Sequence, residues 1–381
     1  MSTVQDIFLQ FYEGYVSKYG LDYDLEKVAN AIIQCKSGEL GYNVCYCADC
    51  ESTHTHYNSC RNRNCPGCQE IPKEVWVDAR KAEVLEGVSY YHAVFTIPEE
   101  LNALVFANKR EMYSLLHKCV SQTLLELSAD RKYFGEKPGI IQVLHTWGSK
   151  MNYHPHIHAV IMGCGLTDTN QVAVRSKFFI PVEVLSHKFR GKFIALLKEL
   201  HKDGKLHFSS SVSGLADPAG WNNFTRSLYA KDWIPFIKET FKDSGNAIDY
   251  LGRYTHRIAI SNSRIVEVTD TTVTFSYKDY RDGNTKELTL DGVEFVRRFL
   301  MHVLPKGFVK IRNYGAFNNR MKKKTLKTLR GKMKLLEFKA ELAGLNSSEI
   351  LKKLYGVDVS RCPDCGSIYY YTIQKRYPMR C

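Results

Sequence analysis

Three histidines separated by single residues stand in the segment YHPHIH, residues 153–158. Successive side chains of a β-strand point to opposite faces, so His156 and His158 would project from the same face. Two neutral imidazoles about 7 Å apart along a strand can share one divalent ion. The flanking residues predict a hairpin of strands 140–147 and 154–162 joined by a turn at 148–150. The spacing indicates a metal site, with a metal-free histidine pair as the alternative.

A catalytic ion needs a third protein ligand in addition to these two histidines. His145 lies on the facing strand of the predicted hairpin, where cross-strand neighbours come within about 5.5 Å. His154 would share a strand face with His156 and is the alternative third ligand. Either histidine could equally hydrogen-bond to the ligands without binding the ion itself.

Two tyrosines form a second candidate group. If residues 245–254 are helical, Tyr250 and Tyr254 stand one turn apart on the same face, although two packing aromatics would give the same pattern. Arg253 lies beside the second tyrosine and could bind a phosphate through two hydrogen bonds. Gly252 costs a helix about 1 kcal/mol relative to alanine, so something other than helix propensity keeps glycine there.

Cysteine pairs indicate zinc. Cys47 and Cys50 form one CxxC turn, Cys65 and Cys68 form a second, and two such turns can close a tetrahedron of thiolates. His54 and Cys60 lie between the turns as further candidate ligands, so one site with bystanders and a second, partial site both stay open. A third CxxC turn, Cys362 and Cys365 with a later Cys381, either recruits ligands from elsewhere or is a plain tight turn.

The charge balance favours a polyanionic partner. The chain has 53 Lys and Arg against 40 Asp and Glu, a formal net charge of +13. Residues 306–334 contain no acidic residue and interleave cations with aromatics. This pattern suits phosphate contacts and base stacking, although a solvated basic helix would give the same pattern. The cations expected to contact phosphate are Arg61, Arg63, Arg253, Lys310, Arg312, Arg320, Lys322, Lys323 and Lys324.

Membrane insertion and secretion are not indicated. No apolar run approaches the roughly 20 residues of a membrane-spanning helix, and the N-terminus lacks a basic segment followed by an apolar block. We therefore expect a cytoplasmic protein without a membrane partner. Its twelve cysteines would be metal ligands or inert thiols rather than disulfides.

Four ordered blocks within residues 40–320 carry a resemblance: NSCRNRNCPGCQ, HTWGSKMNYHPHIHAVI, YLGRYTHRIAISN and HVLPKGFVKIRNYG. Together they resemble the insertion sequence ninety-one family, which are HUH rolling-circle transposases with an N-terminal zinc-binding domain. The resemblance implies an enzyme that cleaves and rejoins single-stranded DNA at element ends. It also implies a histidine-bound metal beneath a tyrosine presented by a helix, and it maps the family's tyrosine pair onto Tyr250 and Tyr254. Members with a single tyrosine are known.

The residues can support this chemistry. A tyrosine hydroxyl can attack a phosphodiester and form a 5′-phosphotyrosine, while a divalent ion on His156 and His158 polarises the phosphoryl oxygen. We expect Mg²⁺ or Mn²⁺ rather than zinc there, because a phosphoryl oxygen must be accommodated. The competing hypotheses are a plasmid replication initiator or relaxase with the same chemistry, and a non-enzymatic zinc DNA-binding regulator.

The expected fold is α+β, in which an antiparallel sheet carries the histidine hairpin and helices cover one face. Residues 1–88 would form helices and a zinc module, 89–304 the HUH endonuclease core with the tyrosine helix, and 305–381 a basic DNA-binding region. The expected partners are single-stranded DNA and hairpins of the element ends, which would place the bound protein on the nucleoid. The sequence does not predict an oligomeric state.

Overall fold

The computed structural model describes residues 2–167, 171–241, 252, 258–279 and 281–377. Tyr250, Arg253 and Tyr254 therefore lie outside the described residues. The α-helices with described bounds are α1 (Val4–Tyr19), α2 (Tyr23–Ile33), α3 (Glu70–Lys81), α4 (Asn102–Ala107), α5 (Lys109–Ala129), α6 (Val182–Lys202), α7 (Pro218–Tyr229), α8 (Gly292–Met301), α9 (Lys322–Met333) and α10 (Ser347–Tyr355). The strands are β1 (Tyr42–Cys47), β2 (Thr53–Tyr57), β3 (Tyr90–Thr96), β4 (Gly139–Trp147), β5 (Tyr153–Met162), β6 (Cys164–Leu166), β7 (Val172–Val174), β8 (Phe236–Phe241), β9 (Ile265–Val268), β10 (Thr272–Lys278), β11 (Thr285–Asp291), β12 (Ile311–Gly315) and β13 (Tyr370–Arg376).

A five-stranded antiparallel sheet in the order β12-β4-β5-β3-β8 forms the centre of the molecule. Its middle strand is β5, the strand that carries His156 and His158, and it is hydrogen-bonded along both edges. Both β4 and β5 are buried along most of their length, as expected for strands with apolar residues on both faces. The histidines therefore lie on the central strand, whose backbone is hydrogen-bonded to a neighbouring strand on each side.

One face of this sheet is covered by helices. Ile157, Ala159 and Ile161 of β5 point to that face and join the main apolar core. The long helix α5 and helix α6 supply most of the opposing side chains, including Phe189 and Phe193. This packing of helices on an antiparallel sheet confirms the expected α+β fold.

The other face divides into an apolar part and a histidine part. Val143 and Val160 lie there in a core cluster with Val77 of α3 and Leu329 of α9. His156 and His158 lie on the same face, since they alternate with Ile157. The histidine part borders a cavity.

The N-terminal helices belong to a separate apolar core. Helices α1 and α2 pack with α8 and with the sheet β11-β10-β9. Helix α1 begins at a capping box, in which Thr3 and Asp6 each accept a hydrogen bond from the other's backbone N–H. Met151, in the turn of the histidine hairpin, is buried in this same core, so the core fixes the hairpin tip.

Residues 305–377 contribute strands to two different sheets. Strand β12 is an edge strand of the central sheet, where it pairs with β4. Strand β13 pairs with β1 in the small sheet β13-β1-β2. Backbone pairing thus distributes this segment over two sheets. Among the described residues, no helix combines the length and the apolar character needed to cross a membrane.

Candidate metal centres

Three imidazoles converge on the β4–β5 hairpin. His145 lies directly opposite His156 in the strand register, and Nε2 of His156 lies 3.1 Å from Nε2 of His158. A ligand nitrogen from each of the three histidines lies within 4.8 Å of the other two. Two nitrogens bound to one ion at about 2.1 Å each lie roughly 3 Å apart. The arrangement therefore fits one shared metal ion.

Hydrogen bonds orient two of these rings. His156 donates from Nδ1 to the carbonyl oxygen of His154 at 2.7 Å, which leaves its Nε2 with a lone pair. Nδ1 of His158 lies 2.9 Å from Nε2 of His92 on β3, and the two rings stack. With an ion on its Nε2, His158 carries its proton on Nδ1 and donates it to His92. His92 was not among the site residues found in the sequence, because the signal for it is the pairing of β3 with β5.

Burial keeps His156 and His92 neutral. Desolvation lowers the pKa of His156 to about 4 and that of His92 to about 4. At neutral pH both rings therefore offer a lone pair instead of a positive charge. His154, the alternative third ligand, is not part of the converging group among the described residues, and it contributes its backbone carbonyl instead.

A cavity opens over the three histidines. It is bordered on its far side by residues of the β9–β11 region, including Arg264, Tyr277 and Lys278. Arg264 donates to the carbonyl oxygen of Ser276 at 2.7 Å and to that of Ser149 at 2.8 Å, so it fastens the turn of the histidine hairpin to β10. Cations beside a metal site favour an anionic substrate such as a phosphodiester.

Cys65 and Cys68 form a first thiol cluster with Cys35 and Cys60. The Sγ of Cys68 lies 3.6 Å from that of Cys35 and 3.7 Å from that of Cys60. Thiolates bound to one zinc at about 2.3 Å each lie about 3.8 Å apart, so the donor set fits tetrahedral zinc. Cys35 follows α2 and belongs to no CxxC turn, which is why its spacing did not reveal it. Cys60, an expected additional ligand, is part of this cluster.

Cys47 and Cys50 form a second thiol cluster with Cys362 and Cys365. Of the arrangements left open by the sequence, the structure thus groups the two N-terminal CxxC turns in separate clusters. The pairing of β1 with β13 brings the C-terminal turn to Cys47 and Cys50 instead.

His54 stands beside the second cluster rather than within its four thiols. Its Nε2 lies 3.0 Å from the carboxylate of Asp364, and it could join Cys362 and Asp364 as a candidate metal-ligand group. Cys381 lies outside the described residues.

Several cations expected to contact phosphate are used inside the molecule. Arg63 donates to the carbonyl oxygens of Phe308, Leu304 and Pro305, so its guanidinium orders the loop after α8 and is half-buried. Lys322 forms an ion pair with Glu83. Contacts within the chain therefore occupy the charged groups of both residues, and their role in DNA binding stays a prediction.

Two more of these cations are also bonded within the chain or buried. Arg312 donates to the carbonyl oxygen of Val309 and to Ser114 Oγ. Burial lowers the pKa of Lys310 to about 8. The exposed members of the expected set are Arg61, Arg320, Lys323 and Lys324, and Arg253 lies outside the described residues.

Comparison with known proteins identifies the family. The family model described as "Putative transposase" matches residues 139–325, which contain all three converging histidines. The model described as "Transposase zinc-binding domain" matches residues 7–97, which contain the first thiol cluster. No solved structure matches the chain.

Two relatives match nearly the whole chain. "Putative transposase y4qJ" of Sinorhizobium fredii is 37% identical over 377 residues, which cover 97% of this chain and 94% of that protein. "Transposase for insertion sequence element IS801" of Pseudomonas savastanoi pv. phaseolicola is 26% identical over 357 residues, covering 92% of this chain and 84% of that protein.

Together, the fold, the site and these matches define a DNA-processing enzyme. The chain belongs to the insertion sequence ninety-one family of transposases. This confirms the resemblance seen in the four sequence blocks, and it favours a transposase over a replication initiator, a relaxase or a non-enzymatic regulator.

Proposed function

We propose that this transposase cleaves and rejoins single-stranded DNA at the ends of its element by metal-assisted transesterification through a 5′-phosphotyrosine. The observation that carries the proposal is the convergence of His145, His156 and His158 on the central hairpin, under a cavity bordered by Arg264 and Lys278. A phosphodiester bound in that cavity would have the histidine site on one side and cations on the other.

The donor set suits a divalent ion. An ion held by His145, His156 and His158 would polarise a phosphoryl oxygen and offset the negative charge that develops during displacement. Three imidazoles are poor ligands for Mg²⁺, which prefers oxygen, and better ligands for Mn²⁺. Of the two ions expected from the sequence, the donor set therefore favours Mn²⁺. His92 and the carbonyl of His154 hold two of the rings in the required tautomer.

The nucleophile in this proposal is the hydroxyl of Tyr250 or Tyr254. A bond forms between the tyrosine oxygen and phosphorus, and the bond between phosphorus and the 3′ oxygen breaks. The 5′ end stays on the enzyme as a phosphotyrosine, the phenol proton is lost, and the 3′ oxygen takes up a proton as a free hydroxyl. The covalent bond retains the energy of the phosphodiester, so a 3′-hydroxyl can later attack it and rejoin a strand.

The position of Gly252 supports the proposed role of the two tyrosines. This residue stands between the two tyrosines in the chain, and a Cβ on it would lie only 2.3 Å from Cγ2 of Val77. Val77 belongs to the apolar cluster that contains Val143 and Val160, which share the sheet face of the histidines. The glycine that helix propensity disfavours is thus explained by close packing on α3.

The DNA strand would be held by cations that remain exposed. Arg61, Arg320, Lys323 and Lys324 are candidates for phosphate contacts, and we propose the same role for Arg253. The partners would be single-stranded element ends and their hairpins, with the bound protein located on the nucleoid.

The test separates chemistry from binding. The double variant His156→Ala/His158→Ala should lose cleavage of a single-stranded element-end oligonucleotide in Mn²⁺ while binding it as the parent protein does. Among single variants, His145→Ala should lower Mn²⁺ affinity as strongly as His158→Ala, whereas the adjacent control His154→Ala should retain it. Cleavage by the double variant would rule out the metal role of these histidines.

A further inference from the structure

We propose a second, structural zinc ion that links an N-terminal CxxC turn to the C-terminal one. Its ligands would be Cys47, Cys50, Cys362 and Cys365. The family model for the zinc-binding domain ends at residue 97, and the model for the transposase domain ends at residue 325. Neither reaches the C-terminal CxxC turn. This site is independent of the proposed DNA chemistry.

The sulfur atoms are spaced for a tetrahedral ion. Sγ of Cys47 lies 3.6 Å from Sγ of Cys365, and Sγ of Cys50 lies 3.5 Å from Sγ of Cys362. All four sulfur atoms lie within 4.8 Å of one another, and all four residues are free thiols. Zinc with four thiolates needs sulfur atoms about 3.8 Å apart, so little movement is required.

The two turns that supply these thiols share one sequence pattern and one backbone conformation. They read Cys-Ala-Asp-Cys-Glu-Ser from residue 47 and Cys-Pro-Asp-Cys-Gly-Ser from residue 362. The residue after the second cysteine has a positive φ in both turns, 60° at Glu51 and 74° at Gly366. Such a φ is strained for glutamate, so an interaction must hold the turn in this form.

Backbone hydrogen bonds repeat in the same way. The N–H of Cys47 donates to the carbonyl oxygen of Ser52 at 3.0 Å, and the N–H of Cys362 donates to that of Ser367 at 3.0 Å. Two turns built alike and facing each other are the usual construction of a four-cysteine structural zinc site. The match between the turns is independent of the sulfur distances and supports the same conclusion.

Contacts between the turns set their relative position. Ser367 Oγ donates to the carboxylate of Asp49 at 2.5 Å, and the N–H of Ala48 donates to the carbonyl oxygen of Tyr369 at 3.0 Å. Beyond the turns, β1 and β13 continue as an antiparallel pair. The zinc would therefore fix β13, and the segment that leads into it, onto the N-terminal domain.

Exposure of two of the thiols provides a test on the unaltered protein. Cys50 and Cys365 are exposed, whereas Cys47 and Cys362 are buried. Exposed thiols react readily with iodoacetamide unless a metal binds them. Peptide mapping of the full-length protein should show Cys50 and Cys365 protected before treatment with a zinc chelator and alkylated after it. Equal alkylation before and after chelation would overturn the proposal.

Zinc content of full-length variants gives the second measurement. Cys362→Ser/Cys365→Ser should hold one zinc fewer per chain than the parent protein. Any metal at the histidine site is present in both proteins and does not affect this difference. The control is Cys45→Ser, since Cys45 lies on β1 near the cluster and its thiol contacts Thr372 Oγ1 without joining the four ligands. Cys45→Ser should keep the parental content. Equal zinc content in the double variant and the parent protein would contradict the second zinc site. If the variant does not fold, the alkylation pattern of the unaltered protein decides the question.

Discussion

Nε2 of His92 lies 2.9 Å from Nδ1 of His158, with the two rings stacked at a centroid distance of 5.1 Å. His158 is one of the three converging histidines, and His92 stands behind it on β3. A hydrogen bond to the outer nitrogen of a metal-binding histidine fixes its tautomer and raises its basicity. We therefore propose that His92 is a positioning residue for the proposed metal site.

Replacing His92 should lower the affinity for the metal ion while its three histidine ligands stay in place. We expect His92→Ala to lower Mn²⁺ affinity by about 10–100-fold, the usual effect of losing such a partner, and His92→Gln to recover part of it through its amide oxygen. The control is His117→Gln, since His117 is buried and bonded to Gln142 beneath the helix-covered face. Isothermal titration with Mn²⁺ is the measurement, and unchanged affinity in His92→Ala would remove His92 from the site.

Gly252→Ala should impair cleavage by displacing the segment between the tyrosines. The added Cβ would meet Cγ2 of Val77 at 2.3 Å, an overpacking that costs about 1–3 kcal/mol. Adding Val77→Ala removes the clash, so the double variant should cleave better than Gly252→Ala alone. Gly191→Ala in α6 is the control, because nothing lies within 4 Å of its Cβ position. Parental cleavage rates in Gly252→Ala would show that the contact does not matter.

The exposed pair Lys323 and Lys324 should account for part of the salt dependence of DNA binding. Each phosphate contact with a single strand contributes about 0.7 to the slope of log K against log salt, so Lys323→Ala/Lys324→Ala should reduce the slope by about 1.4. Lys322→Ala is the adjacent control, since Lys322 pairs with Glu83. Fluorescence anisotropy over a salt series measures the slopes. If Lys322→Ala changed the slope and the double variant did not, the assignment would be reversed.

The histidine site could be predicted from the sequence because its determinants are local. Alternation along one strand places His156 and His158 together, and a short hairpin turn brings His145 opposite His156. His92 could not be found in this way, because it depends on which distant strand pairs with β5.

The thiol clusters show the same limit. CxxC spacing identifies each turn, but not which two turns meet, and here the partner of Cys47 and Cys50 lies more than 300 positions along the chain. Pairing between distant strands also decides the structure of Phe236–Phe241. The helical spacing of its apolar residues would by itself favour a helix, yet the segment is strand β8, because pairing with the edge of β3 outweighs local propensity.

The most direct test of the account is to map the covalent adduct. The protein is incubated with a single-stranded element-end oligonucleotide and Mn²⁺, and the SDS-resistant product is digested and analysed by mass spectrometry. We expect the nucleotide on the peptide that contains Tyr250 or Tyr254, and no adduct in Tyr250→Phe/Tyr254→Phe or in His156→Ala/His158→Ala. An adduct on any other residue, or one that persists in the double tyrosine variant, would contradict the proposed mechanism.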